Sequence, residues 1–167
     1  MFDTINSFLY DWKEESGRTA KIFDALSDAS LAQRVAEGHW SLGQIAWHLV
    51  TAIPEMMGHT GLTVDGPGPD APVPAAAAEI AAAYKAVAAA LADRVEAEWT
   101  DDTLKVVDEM YGLSWPRGVT LRVLLRHEIH HRAQMTVLMR QAGLTVPGIY
   151  GPAKEDWAKM GKEPPEH

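Results

Sequence analysis

The chain has 167 residues, 47 % of them apolar and 23 % charged, which suits one domain, residues 1–167, built around one hydrophobic core. Lys and Arg total 15 against 23 Asp and Glu, a formal net charge of −8, so a nucleic-acid partner, which needs a basic footprint, is excluded and an anionic membrane surface is disfavoured. With no cysteine, disulfides and thiolate metal ligands are excluded as well.

The opening stretch MFDTINSFLYDWKEE has neither a basic n-region nor a long apolar run, and no segment has the apolar length needed to span a bilayer. The expectation is a cytoplasmic protein. The first predicted helix runs from about Asp3, a plausible N-cap, to Ala25, with Phe8, Leu9, Trp12, Ile22 and Phe23 supplying apolar surface. A short segment, DASLAQRVAEGHW, leads to the second. Ser41 and Gln44 form the capping-box pattern S-x-x-Q, after which Leu42, Ile45, Leu49, Ala52 and Met56 recur at helical spacing. Pro54 should kink this helix or loosen its last turn.

Residues 61–74, GLTVDGPGPDAPVP, read as a loop or crossover. A third, Ala-rich helix follows over about Ala75–Glu96, and its small side chains invite close approach by a neighbour. Within 99–119 the pieces LKVV and YGLSW read as two short extended segments. The fourth helix has Thr120 as a candidate cap, continues to about Ala142, and ends at Gly143 as a C′ residue. The tail from Gly143 onward, rich in Pro, Gly and aromatics, should pack across the bundle.

Seven histidines are unevenly placed, with His127, His130 and His131 in one turn of the fourth helix and His48 in the middle of the second. At about 100° per residue, His131 lies roughly 40° from His127, and Gln134, Leu138, Val123 and Leu124 lie within about 60° of it. Two imidazoles at i and i+4 on an apolar stripe either chelate one metal ion or pair with polar partners such as Gln134. His48 borders the core face of the second helix, with Gln44 and Glu55 beneath and above it; facing helices of a bundle are where metal sites assemble. Arg132, roughly 140° from His127, should pair with an acid or lie at an interface. Leu125 and Ile129, on the back of the helix, would meet either the tail or a second subunit.

Residues 127–131, HEIHH, also match H-E-x-x-H, the two-histidine zinc motif with Glu as general base. A metalloprotease needs a third ligand and an edge strand; downstream there are only Glu155 and His167, so this reading stands behind the one below.

HEIHHRAQ, residues 127–134, followed by MTVLMRQAGLTVPGIYGP, together with the upstream WSLGQIAWHL, residues 40–49, resembles the DinB-like (YfiT-like) family. The family pattern, a histidine on the second helix and H-x-x-x-H-R-x-Q on the last, falls on His48, His127, His131, Arg132 and Gln134. Ala133 stands where many relatives carry Gly. The resemblance implies an all-α, up-down-down-up four-helix bundle, often a homodimer, with one divalent metal ion, zinc or nickel, held by His48, His127 and His131. It also implies a small-molecule substrate, in some members a low-molecular-weight thiol, and thiol-dependent S-transfer or hydrolase-like chemistry.

Three neutral histidines leave an ion one open position, where a water or thiol is acidified. Glu128 or Glu55 is the candidate base, and Gln134 and Gln44 are candidates to orient the ligand histidines. The competing reading is a non-catalytic metal- or ligand-binding bundle serving a stress response, and a bundle without metal is the remaining one.

Overall fold

The structure, a computed structural model, describes residues 1–166. Four long helices carry the core: α1 (Ile5–Asp24), α2 (Leu42–Gly58), α3 (Ala77–Glu98) and α4 (Arg117–Gln141), with a short α5 (Lys154–Lys159) in the tail. A two-stranded antiparallel hairpin, β1 (Val107–Met110) and β2 (Leu113–Pro116), precedes α4, with Val107 opposite Pro116 and Met110 opposite Leu113. The sequence places its first strand too early: Leu104 and Lys105 of LKVV lie in a 3-10 turn and only Val107 enters β1, while Leu113, Ser114 and Trp115 of YGLSW form β2 after the turn at Tyr111 and Gly112.

Contacts fix the helix directions. The Trp12 indole donates to the Ala88 carbonyl at 2.9 Å while Asp24 pairs with Lys85, so α1 and α3 run antiparallel. Phe2 meets Gly118 and Glu15 meets Arg132, so α1 and α4 run parallel. Ile45 shares a cavity with Leu138, and Glu55 shares another with Val123, so α2 and α4 run antiparallel. The result is the up-down-down-up bundle, with parallel α2 and α3 joined by the crossover through residues 59–76. The Trp47 indole pins that crossover by donating to the Ala71 carbonyl at 2.8 Å.

Local sequence explains the helix ends, with some corrections. Thr4, not Asp3, caps α1 by accepting from the Ser7 N–H, and Asp101 accepts the Ile5 N–H from across the bundle. The Ser41–Gln44 box forms in both directions. Pro54 is absorbed within α2, which continues to Gly58. The α3 start has no side-chain cap of its own; Asp28 supplies one from the preceding segment by accepting the Ala77 N–H at 2.7 Å. Thr120 does not cap α4. That helix begins a turn earlier because β2 ends at Pro116, a residue with no N–H to lose there. Buried Thr120 instead accepts a hydrogen bond from the Trp115 indole. Gly143 closes α4 at φ +76°, the left-handed conformation expected of a C′ glycine.

The core runs along all four helices through Phe8, Trp12, Phe23, Ile53, Tyr84 and Leu121. The tail packs on α4: Val146 is buried, Ile149 and Tyr150 share a cleft with Ile129, and Arg140 pairs with Glu155. The back of α4 at Ile129 is thus met by the tail. No helix among the described residues is long and apolar enough to cross a membrane.

Candidate metal centre

His48 from α2 and His127 and His131 from α4 converge at mid-bundle. One ring nitrogen from each lies within 4.8 Å of the other two. The Nε2 atoms of His48 and His127 stand 2.9 Å apart, and the ring centroids of His127 and His131 are separated by 4.4 Å. For a tetrahedral ion with nitrogen ligands at about 2.1 Å, donor nitrogens are about 3.4 Å apart, a spacing that small side-chain rotations from this cluster reach.

Electrostatics favour the neutral, ligating form of each ring. Burial lowers the pKa of all three, and the neighbouring imidazoles lower His48 and His127 further, the latter to about 4. Gln134, one turn along α4, accepts the Nδ1–H of His131 at 2.7 Å, which leaves the Nε2 lone pair of that ring free. The Nδ1 of His127 is buried without a hydrogen-bond partner among the described residues. An all-imidazole donor set, uncharged and half-buried, fits a borderline divalent ion such as zinc or nickel.

Two expected participants lie elsewhere. Glu128 is only 1 % exposed, and its Oε1 accepts hydrogen bonds from Thr19 of α1 and Tyr84 of α3, at 2.8 and 2.7 Å. It is turned away from the histidines because it sits about 100° round the helix from His127. Burial raises its carboxyl to about 7, outweighing the hydrogen bonds from Tyr84 and Thr19. This orientation also removes the role of the Glu in an H-E-x-x-H protease. Gln44 spends its carbonyl oxygen on the Ser41 N–H and on the Arg34 guanidinium, and so does not orient His48. His167 lies outside the described residues.

Arg132 does pair with an acid. It is 2 % exposed and donates to the Glu15 carboxylate and carbonyl, to Thr19 and to Tyr150. Glu128 and Arg132, one turn apart, thus tie α4 to α1 and α3 while His127 and His131 face α2.

Sequence reasoning passed over two features beside the cluster. A cavity of about 540 Å³ is lined by His48, His127, Thr51, Glu55 and Tyr111. Glu55 there accepts from the Tyr111 hydroxyl at 2.7 Å and lies 3.2 Å from His59 Nε2. Tyr111 takes φ +52° at the hairpin turn beside Gly112. The other feature is Trp40, whose ring lies edge-on to His48 at 5.0 Å and near-parallel to His131 at 6.5 Å. Its signal was present: Trp40 and Ile45 flank the capping box at the N′ and N4 positions of a hydrophobic staple.

The DinB family model matches residues 1–166. YrdA of Bacillus subtilis (strain 168) is 48 % identical over 166 residues, 99 % of each chain. The crystal structure of a DinB-like protein from Bacillus cereus ATCC 10987 superposes with a TM-score of 0.87 at 48 % identity, covering 90 % of this chain and 100 % of that one. A second DinB-like protein, YjoA of Bacillus subtilis, shares the fold at a TM-score of 0.68 and 14 % identity, over 88 % of this chain and 99 % of its own. The chain therefore belongs to the DinB family.

Proposed function

We propose that this DinB-family chain holds one divalent metal ion, zinc or nickel, with His48, His127 and His131, and that it acts on a small molecule at that centre. The observation that carries the reading is the convergence of three imidazole nitrogens from two helices within 4.8 Å of one another. When bound, the ion supplies Lewis acidity and a coordination position open to a ligand.

The chain's own residues would do the rest. Gln134 holds the His131 tautomer, and α4 is locked in rotation by Arg132 and Glu128 on its opposite side. Glu55 lines the cavity that reaches His48 and His127, so it replaces Glu128 as the carboxylate placed to accept a proton. Tyr111 orients that carboxylate through its hydroxyl. The family resemblance favours thiol-dependent S-transfer or hydrolysis as the reaction, with a low-molecular-weight thiol as one reactant.

Elemental analysis of the purified chain tests the centre. The expected result is one zinc or nickel per chain, and none in His48→Ala or His127→Ala. Unchanged stoichiometry in His48→Ala would refute it. A panel of small thiols paired with electrophiles, together with activated esters, tests the chemistry; turnover by the wild type that disappears in His127→Ala is expected, and a blank panel counts against catalysis.

A further inference from the structure

A second cavity meets the histidine cluster toward the other end of the α2–α4 seam. It measures about 560 Å³, within the range of roughly 300–1,000 Å³ typical of small-molecule sites. Ile45, Leu138, Val137, Val35 and Trp40 surround it, and His131 with the exposed Gln134 and His39 supplies its polar edge. No Lys, Arg, Asp or Glu lines it among the described residues. Its mouth gathers three large apolar side chains that remain in water: Val35 at 60 %, Trp40 at 51 % and Val137 at 55 % exposure. Water-exposed apolar groups clustered round a concavity mark a binding site more often than a packing fault.

The wall is also built in advance. Residues 33–41 form a tight loop whose ends are tied by the Arg34–Ser41 bridge and by the Leu42 N–H donating to the Gln33 carbonyl at 2.8 Å. Arg34 spans its interior, donating to the His39 carbonyl and, at 3.0 Å, to Gln44. Gly38 takes φ +77° at the bend, which a side chain would resist. Gln44 therefore acts on Trp40 through Arg34 and the loop rather than on His48. A wall ordered before binding spares a ligand the entropy of ordering it.

We propose that this cavity is the specificity pocket, taking the uncharged aromatic or branched-aliphatic body of a small molecule whose single polar group lies against His131 and Gln134. Away from His131, an anionic body would meet no Lys or Arg in the lining and a chain of net charge −8; a cationic body would find no carboxylate there. The placing of the polar group rests on the metal reading, whereas the apolar body does not.

Isothermal titration of the full-length, zinc-loaded chain with 2-naphthol, and with 6-hydroxynaphthalene-2-sulfonate, which keeps the same hydroxyl and carries an anion on its body, is the test. The expected outcome is saturable binding of naphthol at one site per chain and binding of the sulfonate weaker by roughly tenfold or more. Val137→Asp and Val35→Asp should each weaken naphthol by a similar factor with metal content unchanged, and Val107→Asp, on the exposed hairpin, should leave it as in the wild type. Absent naphthol binding, equal binding by Val137→Asp, or equal binding of the sulfonate would overturn the proposal. So would light scattering showing that Val137→Asp splits a dimer while naphthol does not bind, since the face would then be a subunit contact. Metal retained by His48→Ala would instead defeat the metal reading alone.

Discussion

Gln134 Oε1 accepts the Nδ1–H of His131 at 2.7 Å, so one carboxamide decides which nitrogen of that ring faces His48 and His127. The pair is one helical turn apart, and its geometry comes from α4 itself rather than from tertiary packing.

Removing this acceptor frees the ring to rotate and change tautomer. Gln134→Ala is expected to weaken zinc binding by roughly 10–100-fold, the usual effect of losing a hydrogen bond behind a ligand histidine. Gln134→Glu, which keeps the acceptor, should restore most of the affinity. Competition with a chromophoric chelator measures both.

Glu128 is the acid an H-E-x-x-H reading places at the metal, and its carboxylate points instead at Thr19 and Tyr84. Glu128→Leu should leave zinc affinity within about twofold of wild type while lowering stability by about 1–3 kcal/mol, because the Tyr84 and Thr19 hydroxyls lose their buried acceptor. Urea unfolding beside the chelator titration separates the two effects. A large loss of affinity with intact stability would return Glu128 to the metal.

Arg132 and Glu15 form a buried ion pair between α4 and α1. Removing one partner strands the other, so Arg132→Met should destabilise the bundle by about 3–5 kcal/mol. Burial alone would raise the Glu15 carboxyl, but hydrogen bonds from Tyr150 and Arg132 outweigh it and hold it below its ordinary value of 4.5. A lowered folded value means that the ionised form stabilises the fold above about pH 4.5 and that this contribution is lost as the pH falls through the folded value. Glu15→Gln should therefore be less stable than wild type near neutrality, with the gap closing on acidification. Chemical unfolding at about pH 7 and about pH 4 reads this out.

Gly118 opens α4 with the Phe2 backbone lying across it; the Phe2 N–H donates to the Gly118 carbonyl at 3.0 Å, and a Cβ would collide with the Phe2 carbonyl oxygen. Gly118→Ala should displace residues 1–3 and cost about 1–3 kcal/mol, as overpacking does. Faster amide exchange at Phe2 would show the displacement directly.

The parts of this protein written in local periodicity were legible before the structure. Helical spacing exposed the four helices, and the Ser41–Gln44 box set the start of α2. Helical phase alone put His127 and His131 together and turned Arg132 away from them, toward an acid or an interface. His48 was legible only through the family pattern, because a partly buried histidine on one helix carries no mark of what faces it. Glu128, a candidate base beside Glu55, lies about 100° round α4 from His127, and that angle turns it from the ion's side toward Thr19 and Tyr84. Gln44 misled because its carbonyl oxygen had two suitors, and the capping box took it. Thr120 reads as a cap in the sequence because the hairpin before it is too short to announce where the helix begins. Trp40 and Tyr111 lie on turns, where position depends on backbone paths that no period encodes.

The two helices that supply the histidines are far apart in the chain: His48 and His127 are 79 positions distant, with the crossover, α3 and the hairpin between them. An ion gripping both would act as a reversible cross-link across that span, reducing the freedom of the unfolded chain much as a covalent clip would. In a protein without a single cysteine, such a clip would answer to metal supply rather than to redox conditions, adding to the stability that the packed core already provides.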